Sequence, residues 1–127
     1  MTKDETGQSG GGEKYDLEER TAHFGENVID FLKAVRRDDM TSPLVGQLMR
    51  AAGGVGANYC EANDAVSRKE FRHRIALCRR ESKESKHWLR LIARADDRQL
   101  ETARTLWKEA KELNLIFASI LRGLDKE

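Results

Sequence analysis

A chain of 127 residues supports one domain with an adequate core and little to spare. With 39% hydrophobic residues, 35% charged residues and a single proline, the composition suits long helices rather than a β-sandwich. The net charge of +1 excludes any inference of a partner from bulk charge, and no apolar run reaches the roughly 18 residues that mark a membrane span.

Charge is unevenly placed. Residues 1–42 carry 6 basic and 10 acidic side chains, whereas residues 67–98 carry 11 basic and 5 acidic ones. Such an asymmetry fits complementary helix packing first and a nucleic-acid-facing surface second.

Residues 1–14, with Gly10-Gly11-Gly12, hold nothing to bury and are expected to form a flexible tail without a signal peptide. The remaining 15–124 read as one domain of four helices, at about 16–36, 43–63, 67–95 and 98–122. Asp16 is placed to cap the first helix, with Glu19 completing a capping box. Leu17, Thr21, Phe24, Val28, Phe31 and Val35 then form an apolar seam, widened by Ile29 and Leu32.

Ser42-Pro43 reads as an N-cap followed by a first-turn proline. The second seam is Leu44, Leu48, Ala51, Val55, Asn58 and Ala62, and it runs unbroken through Gly53, Gly54 and Gly56. That continuity favours an uninterrupted helix using glycine for close packing. A phosphate loop lacks both a preceding strand and a following Gly-Lys-Ser/Thr.

Ser67 and Glu70 form another capping box. The third helix shows two adjacent seams: Phe71, Ile75, Cys78, Ser82, Ser85, Leu89 and Ile92, and beside it Leu77, Glu81, Glu84, Trp88, Leu91 and Ala95. Asp97 is the expected cap of the last helix, whose seam is Leu100, Ala103, Trp107, Ala110, Asn114, Phe117 and Leu121, ending at Gly123. Trp88, Leu91, Leu106, Leu113 and Ile120 fall outside the strict seams and mark either wide core stripes or subunit contacts. Short turns make all neighbours antiparallel, so the expected fold is an all-α, up-and-down, left-handed four-helix bundle.

Arg50, Asn58 and Glu61 share one face of the second helix, and Glu81 and Glu84 interrupt an apolar seam of the third. Buried carboxylates demand partners, so these five are expected to form a paired network whose disruption at Arg50 or Glu61 costs on the order of 3 kcal/mol. Glu84-Ser85-Lys86-His87 has the Glu-x-x-His spacing of di-metal bundles, but no second pair accompanies it and His87 lies beside the seam. His23 and His73 have no visible nucleophile or acid partner, and nothing beyond residue type links them to Ser82 or Ser85. No catalytic set, metal site, cofactor or small-molecule substrate is expected. Cys60 and Cys78 read as reduced, partly buried thiols of a cytoplasmic protein. Arg68, Lys69, Arg72, Arg79, Lys83, Lys86, Arg90 and Arg94 read as spread around the outer faces of the third helix. They are candidates for nucleic-acid contact, although no aromatic residues are interleaved with them.

The segments Tyr15–Thr21, Gln47–Arg50, Val55–Ala62 (Val-Gly-Ala-Asn-Tyr-Cys-Glu-Ala), Ser67–Phe71 and Glu81–Arg90 closely resemble the bacterial four-helix-bundle family encoded by intervening sequences in 23S ribosomal RNA genes. The likeness covers roughly residues 15–122. It implies a ring, typically a homopentamer, without enzymatic activity, in which Asn58, Glu61, Glu81 and Glu84 are signature polar residues. A related branch, the accessory variability proteins of diversity-generating retroelements, implies a basic pentamer acting with a reverse transcriptase and RNA. This chain is near neutral and has Arg50-Ala51-Ala52-Gly53-Gly54 where the family often places hydroxyl residues. The expected function is therefore a non-enzymatic self-associating scaffold, with a nucleic-acid accessory role through the third helix as the alternative.

Overall fold

The computed structural model describes residues 16–126, and the expected flexible tail at 1–14 lies outside them. The described residues form four α-helices, α1 (Leu17–Ala34), α2 (Thr41–Asn63), α3 (Arg68–Ala95) and α4 (Leu100–Lys126), with a 3₁₀ turn at Asp97–Gln99 before α4. Consecutive helices pack side by side and α1 closes on α4, giving an antiparallel up-and-down bundle.

The first three helices begin where the chain offers their first free N–H groups a side-chain acceptor. Asp16 accepts the Glu19 amide at 3.2 Å, and Ser67 accepts the Glu70 amide at 3.0 Å. The start of α2 differs from expectation. Ser42 is not its cap; the Asp38 carboxylate accepts the amides of Met40 and Thr41, both at 2.9 Å. The buried Thr41 hydroxyl donates to the Arg36 carbonyl and accepts the Asp38 amide. Burial of Thr41 fixes this turn, so the helix starts ahead of Pro43.

Asp97 likewise does not cap α4. Its neighbour Asp96 turns inward, 1% exposed, and the chain passes through the 3₁₀ turn instead. Asp96 accepts the Arg36 amide at 2.9 Å and the Arg98 guanidinium at 2.9 and 3.0 Å. These bonds tie the α1–α2 connection to the α3–α4 connection at one end of the bundle. Gln99 reinforces the tie by donating to the Ala34 carbonyl.

The α1 seam is buried throughout, but Ile29 is 40% exposed and does not widen it. On α4 the buried stripe is Ala103, Leu106, Ala110, Leu113, Phe117 and Leu121. Leu106 and Leu113 thus belong to the core and not to a subunit contact, while Leu100 is exposed and Trp107 and Asn114 are half-buried. Gly123 lets the helix run on to Lys126, since nothing crowds it.

The helix α2 is continuous through its glycines. A Cβ at Gly54 would lie 3.1 Å from the Glu81 side chain of α3, and one at Gly56 would lie 3.5 Å from Thr21 of α1. Gly53 faces open space apart from the Met49 methyl. At this level α3 also presents small buried residues: Cys78, whose thiol donates to the Val55 carbonyl at 3.6 Å, then Ser82 and Ser85. Both serines donate to carbonyls one turn back in their own helix, to Cys78 and Glu81 respectively, which satisfies their hydroxyls without any cross-helix partner.

Candidate functional site

Between the core stripe of α3 and its solvent face lie two flanks, one turned to α2 and one turned to α4. They carry opposite chemistry.

The α2-side flank gathers the expected polar residues. On α2, Gln47, Arg50, Gly54, Asn58 and Glu61 recur at three- and four-residue steps, and on α3 Leu77, Glu81, Glu84, Trp88 and Leu91 do the same. The Asn58 amide group donates to the Gly54 carbonyl at 2.9 Å and its oxygen accepts from Arg74 at 3.1 Å. Arg74 was not singled out in the sequence, and its Nε is buried without a hydrogen-bond partner among the described residues. Arg50 is exposed and donates to Gln47 at 2.7 Å.

Within one chain these residues do not close into the expected network. Glu61 and Glu84 are exposed, Asn58 and Glu81 half-buried, so the carboxylates look outward from a flank and not into the core. The α3 core stripe is the parallel seam through Ser82 and Ser85, one residue over. Because Arg50 and Glu61 are not a buried pair, the stability loss expected for breaking one does not apply to the isolated chain. Glu81 lies against Gly54, and burial, then the nearby Glu84 charge, raise its carboxyl above the usual range.

The α4-side flank is basic. Arg68, Arg72, Arg79, Lys83, Lys86, Arg90 and Arg94 are not spread around the helix; at 3.6 residues per turn they fall within a sector of about 80°, with Lys69 at its edge. The sequence spacing of four, three, four and four from Arg79 to Arg94 already carries this signal. At the α3 N-terminal end the stripe is engaged. Arg72 makes a two-pronged ion pair with Asp125 at 2.8 and 3.0 Å, and Arg68 donates to the Leu124 carbonyl. Further along, Asn114 of α4 donates to the Arg79 carbonyl, and Lys86 places its ammonium 5.1 Å from the Trp107 ring centre. Lys111 approaches the same indole at 5.7 Å. An aromatic residue does lie among the cations, then, supplied by α4, where reading α3 alone does not find it.

Beyond Trp107 the α3–α4 junction opens into a cleft of about 680 Å³ whose lining includes Arg90, Arg94 and Arg104. Among the described residues, Arg79, Lys83, Arg90 and Arg94 have no side-chain ion-pair partner.

The sequence pattern of the family described as 23S rRNA-intervening sequence protein matches residues 13–119. The chain belongs to this family. The fold is similar to that of a crystal structure from Bacteroides thetaiotaomicron, described as a protein with unknown function from the S23 ribosomal protein family, which superposes with a TM-score of 0.75. The two share 23% identity over 83% of this chain and 97% of that one, a likeness of fold. No curated protein matches the chain.

The remaining candidates are dispersed. His87 packs edge-on against Trp88 at 4.8 Å, and Glu84 and His87 are both exposed. His23 pairs with Glu26 of its own helix at 3.4 Å, and His73 is exposed. Among the described residues no group of three or more His, Cys, Asp or Glu side chains is placed to hold a metal ion. Cys60 is exposed, against the expectation of partial burial, and Cys78 is buried, which pushes its thiol up to about 12. A thiol so disfavoured as thiolate is a packing residue. No described helix is long and apolar enough to cross a membrane.

Proposed function

We infer that this member of the 23S rRNA-intervening sequence protein family is a non-enzymatic, self-associating scaffold whose assembled ring, with five copies as the expected number, is the functional unit. The supporting observation is the α2-side flank. It carries a half-buried carboxylate raised by burial and by a like-charged neighbour, and a buried arginine Nε without a partner. Trp88 is half-buried in the same strip and Leu91 is 36% exposed. Polar groups left incomplete beside apolar surface fit a face finished by a second copy, where Arg50, Glu61 and Glu84 find partners from another subunit. Light scattering coupled to size exclusion tests this, and a clean monomer at micromolar concentration would overturn it. The reading places the chain in the cytoplasm, where both thiols stay reduced.

A second reading is favoured by the basic stripe: a nucleic-acid accessory role through α3. One cation per helical turn on a single flank is an arrangement suited to a phosphate backbone. Titration with RNA and DNA across salt tests it, since phosphate contacts weaken steeply as salt rises.

A further inference from the structure

Resting on the second reading, we propose that the α3–α4 cleft is a binding groove for single-stranded nucleic acid, with Trp107 as the stacking platform for a base and Arg90, Arg94 and Arg104 as the phosphate clamp. Four observations converge on it. The cleft, at about 680 Å³, falls within the size range of ligand sites. Its apolar lining includes Leu100, which is exposed, and the half-buried Ala93 and Trp107, so it offers apolar surface against which a splayed-out base can pack. Its rim is cationic: Arg90 and Arg94 lack ion-pair partners among the described residues, and Arg104 is held only by the exposed Glu101 at 3.3 Å. The stripe also continues past the cleft. From Arg79 to Arg94 it runs about 22 Å at 1.5 Å per residue, longer than one nucleotide needs and suited to a strand.

The contrast with the other end of the same stripe sharpens the assignment. Arg72 is already neutralised by Asp125, whereas Arg90 and Arg94, which line the cleft together with Trp107, have no ion-pair partner among the described residues. One acid, Asp97, lines the cleft and sets a limit on its positive potential. Base stacking on an aromatic platform with cations tracking the backbone is the common physics of sequence-tolerant single-strand binding. A duplex hides its base faces and would meet only the rim, because phosphate contacts alone need no floor.

Trp88→Phe leaves Trp107 as the one tryptophan, so its fluorescence reports the cleft directly. A uridine dodecamer is expected to quench it, and log affinity against log salt should be steep. Arg90→Gln with Arg94→Gln should weaken the dodecamer at least tenfold and make the slope shallower by about 1.4, at roughly 0.7 per phosphate contact in single strands. Trp107→Leu, which removes this reporter and is followed instead by the anisotropy of a fluorescein-labelled dodecamer, should weaken it about fivefold or more. Arg72→Gln, in the engaged part of the stripe, should change affinity little. The proposal is overturned if the dodecamer binds equally well to the Arg90/Arg94 double variant and to Trp107→Leu. It is overturned equally if uridine monophosphate or a polyglutamate chain matches the dodecamer, or if a 12-base-pair duplex binds as tightly as the single strand. Tight duplex binding that Trp107→Leu leaves intact would sink the groove while sparing the broader nucleic-acid reading. No binding of either form at 50 mM salt would end both.

Discussion

The two flanks of α3 are built on one helix, share one core stripe and differ in almost everything else. Facing α2, the side chains are carboxylates and large apolar groups set against glycine and asparagine, and their polar atoms are incompletely matched. Facing α4, they are guanidinium and ammonium groups that are neutralised at one end and, among the described residues, have no ion-pair partner at the other. Both flanks depart from the composition of an inert solvated face, in opposite ways. The first has the character of a surface awaiting a protein copy, the second that of a surface awaiting an anion. Which flank carries a property can therefore be separated by substitution.

The core stripe between the flanks sets the scale. Ile75→Ala, at a fully buried position, should lose about 2–5 kcal/mol of stability in urea denaturation. Substitutions confined to either flank should fall well short of it.

Next in size is Asp96, which latches the two connections at one end. The Arg98 guanidinium, then the Arg36 amide, hold its carboxyl well below the usual range. A lowered folded-state value means that the stabilisation is present in full above the ordinary carboxylate range and is lost progressively as pH falls from that range toward the lowered folded-state value. Asp96→Asn should therefore give the largest drop in melting temperature of any polar substitution at pH 7. The gap from wild type should narrow when both are measured at about pH 3. An equal gap at both pH values would show that the latch is not electrostatic.

Gly53→Ala should raise the stability of the isolated chain by about 0.5–1 kcal/mol, since the position is helical and open. If the same substitution weakens assembly in light scattering, this outer side of α2 meets another copy.

Glu81→Gln should have a smaller effect of telling sign. Its carboxyl is raised in the fold, so ionisation at pH 7 carries a penalty that is absent below the ordinary glutamate range. The glutamine variant should be slightly more stable than wild type as a dilute monomer at pH 7 and indistinguishable at about pH 4. In an assembled ring where a partner's cation meets Glu81, the sign reverses and the variant associates less tightly.

Smallest of all should be the stability effect of Arg90→Gln with Arg94→Gln, within about 0.5 kcal/mol, because among the described residues neither guanidinium has an ion-pair partner to lose. A larger change in denaturation midpoint would mean that the cations help hold the cleft together and are not reserved for a ligand.

Much of this was legible in the residues. The spacing of Leu17 to Val35 and of Ile75 to Ile92 identifies buried stripes because a helix repeats every 3.6 residues whatever it packs against. Asp16 and Ser67 were readable as caps because a cap is a local hydrogen bond. The failures share one cause. Ser42, Asp97, Leu106 and Trp107 were misplaced because the deciding contact came from elsewhere in the chain: the inward turn of Thr41 and Asp96, and the rotation of α4 that buries Leu106 and Leu113 in place of Trp107 and Asn114. Arg20 and Glu109, 89 residues apart and bonded at 2.7 and 2.8 Å across α1 and α4, left no sequence signal.

By itself the sequence determined four amphipathic helices, their connections, an unbroken helix through three glycines and the family to which the chain belongs, all of which follow from short-range periodicity and motif. Only the tertiary structure decided that Glu61 and Glu84 look outward, that Asp96 joins two distant turns, and that an indole from α4 comes to lie beside the cations of α3. Those outcomes depend on how each helix is rotated about its own axis against its neighbours, which is set by the packing of the whole core and by no local stretch of the chain.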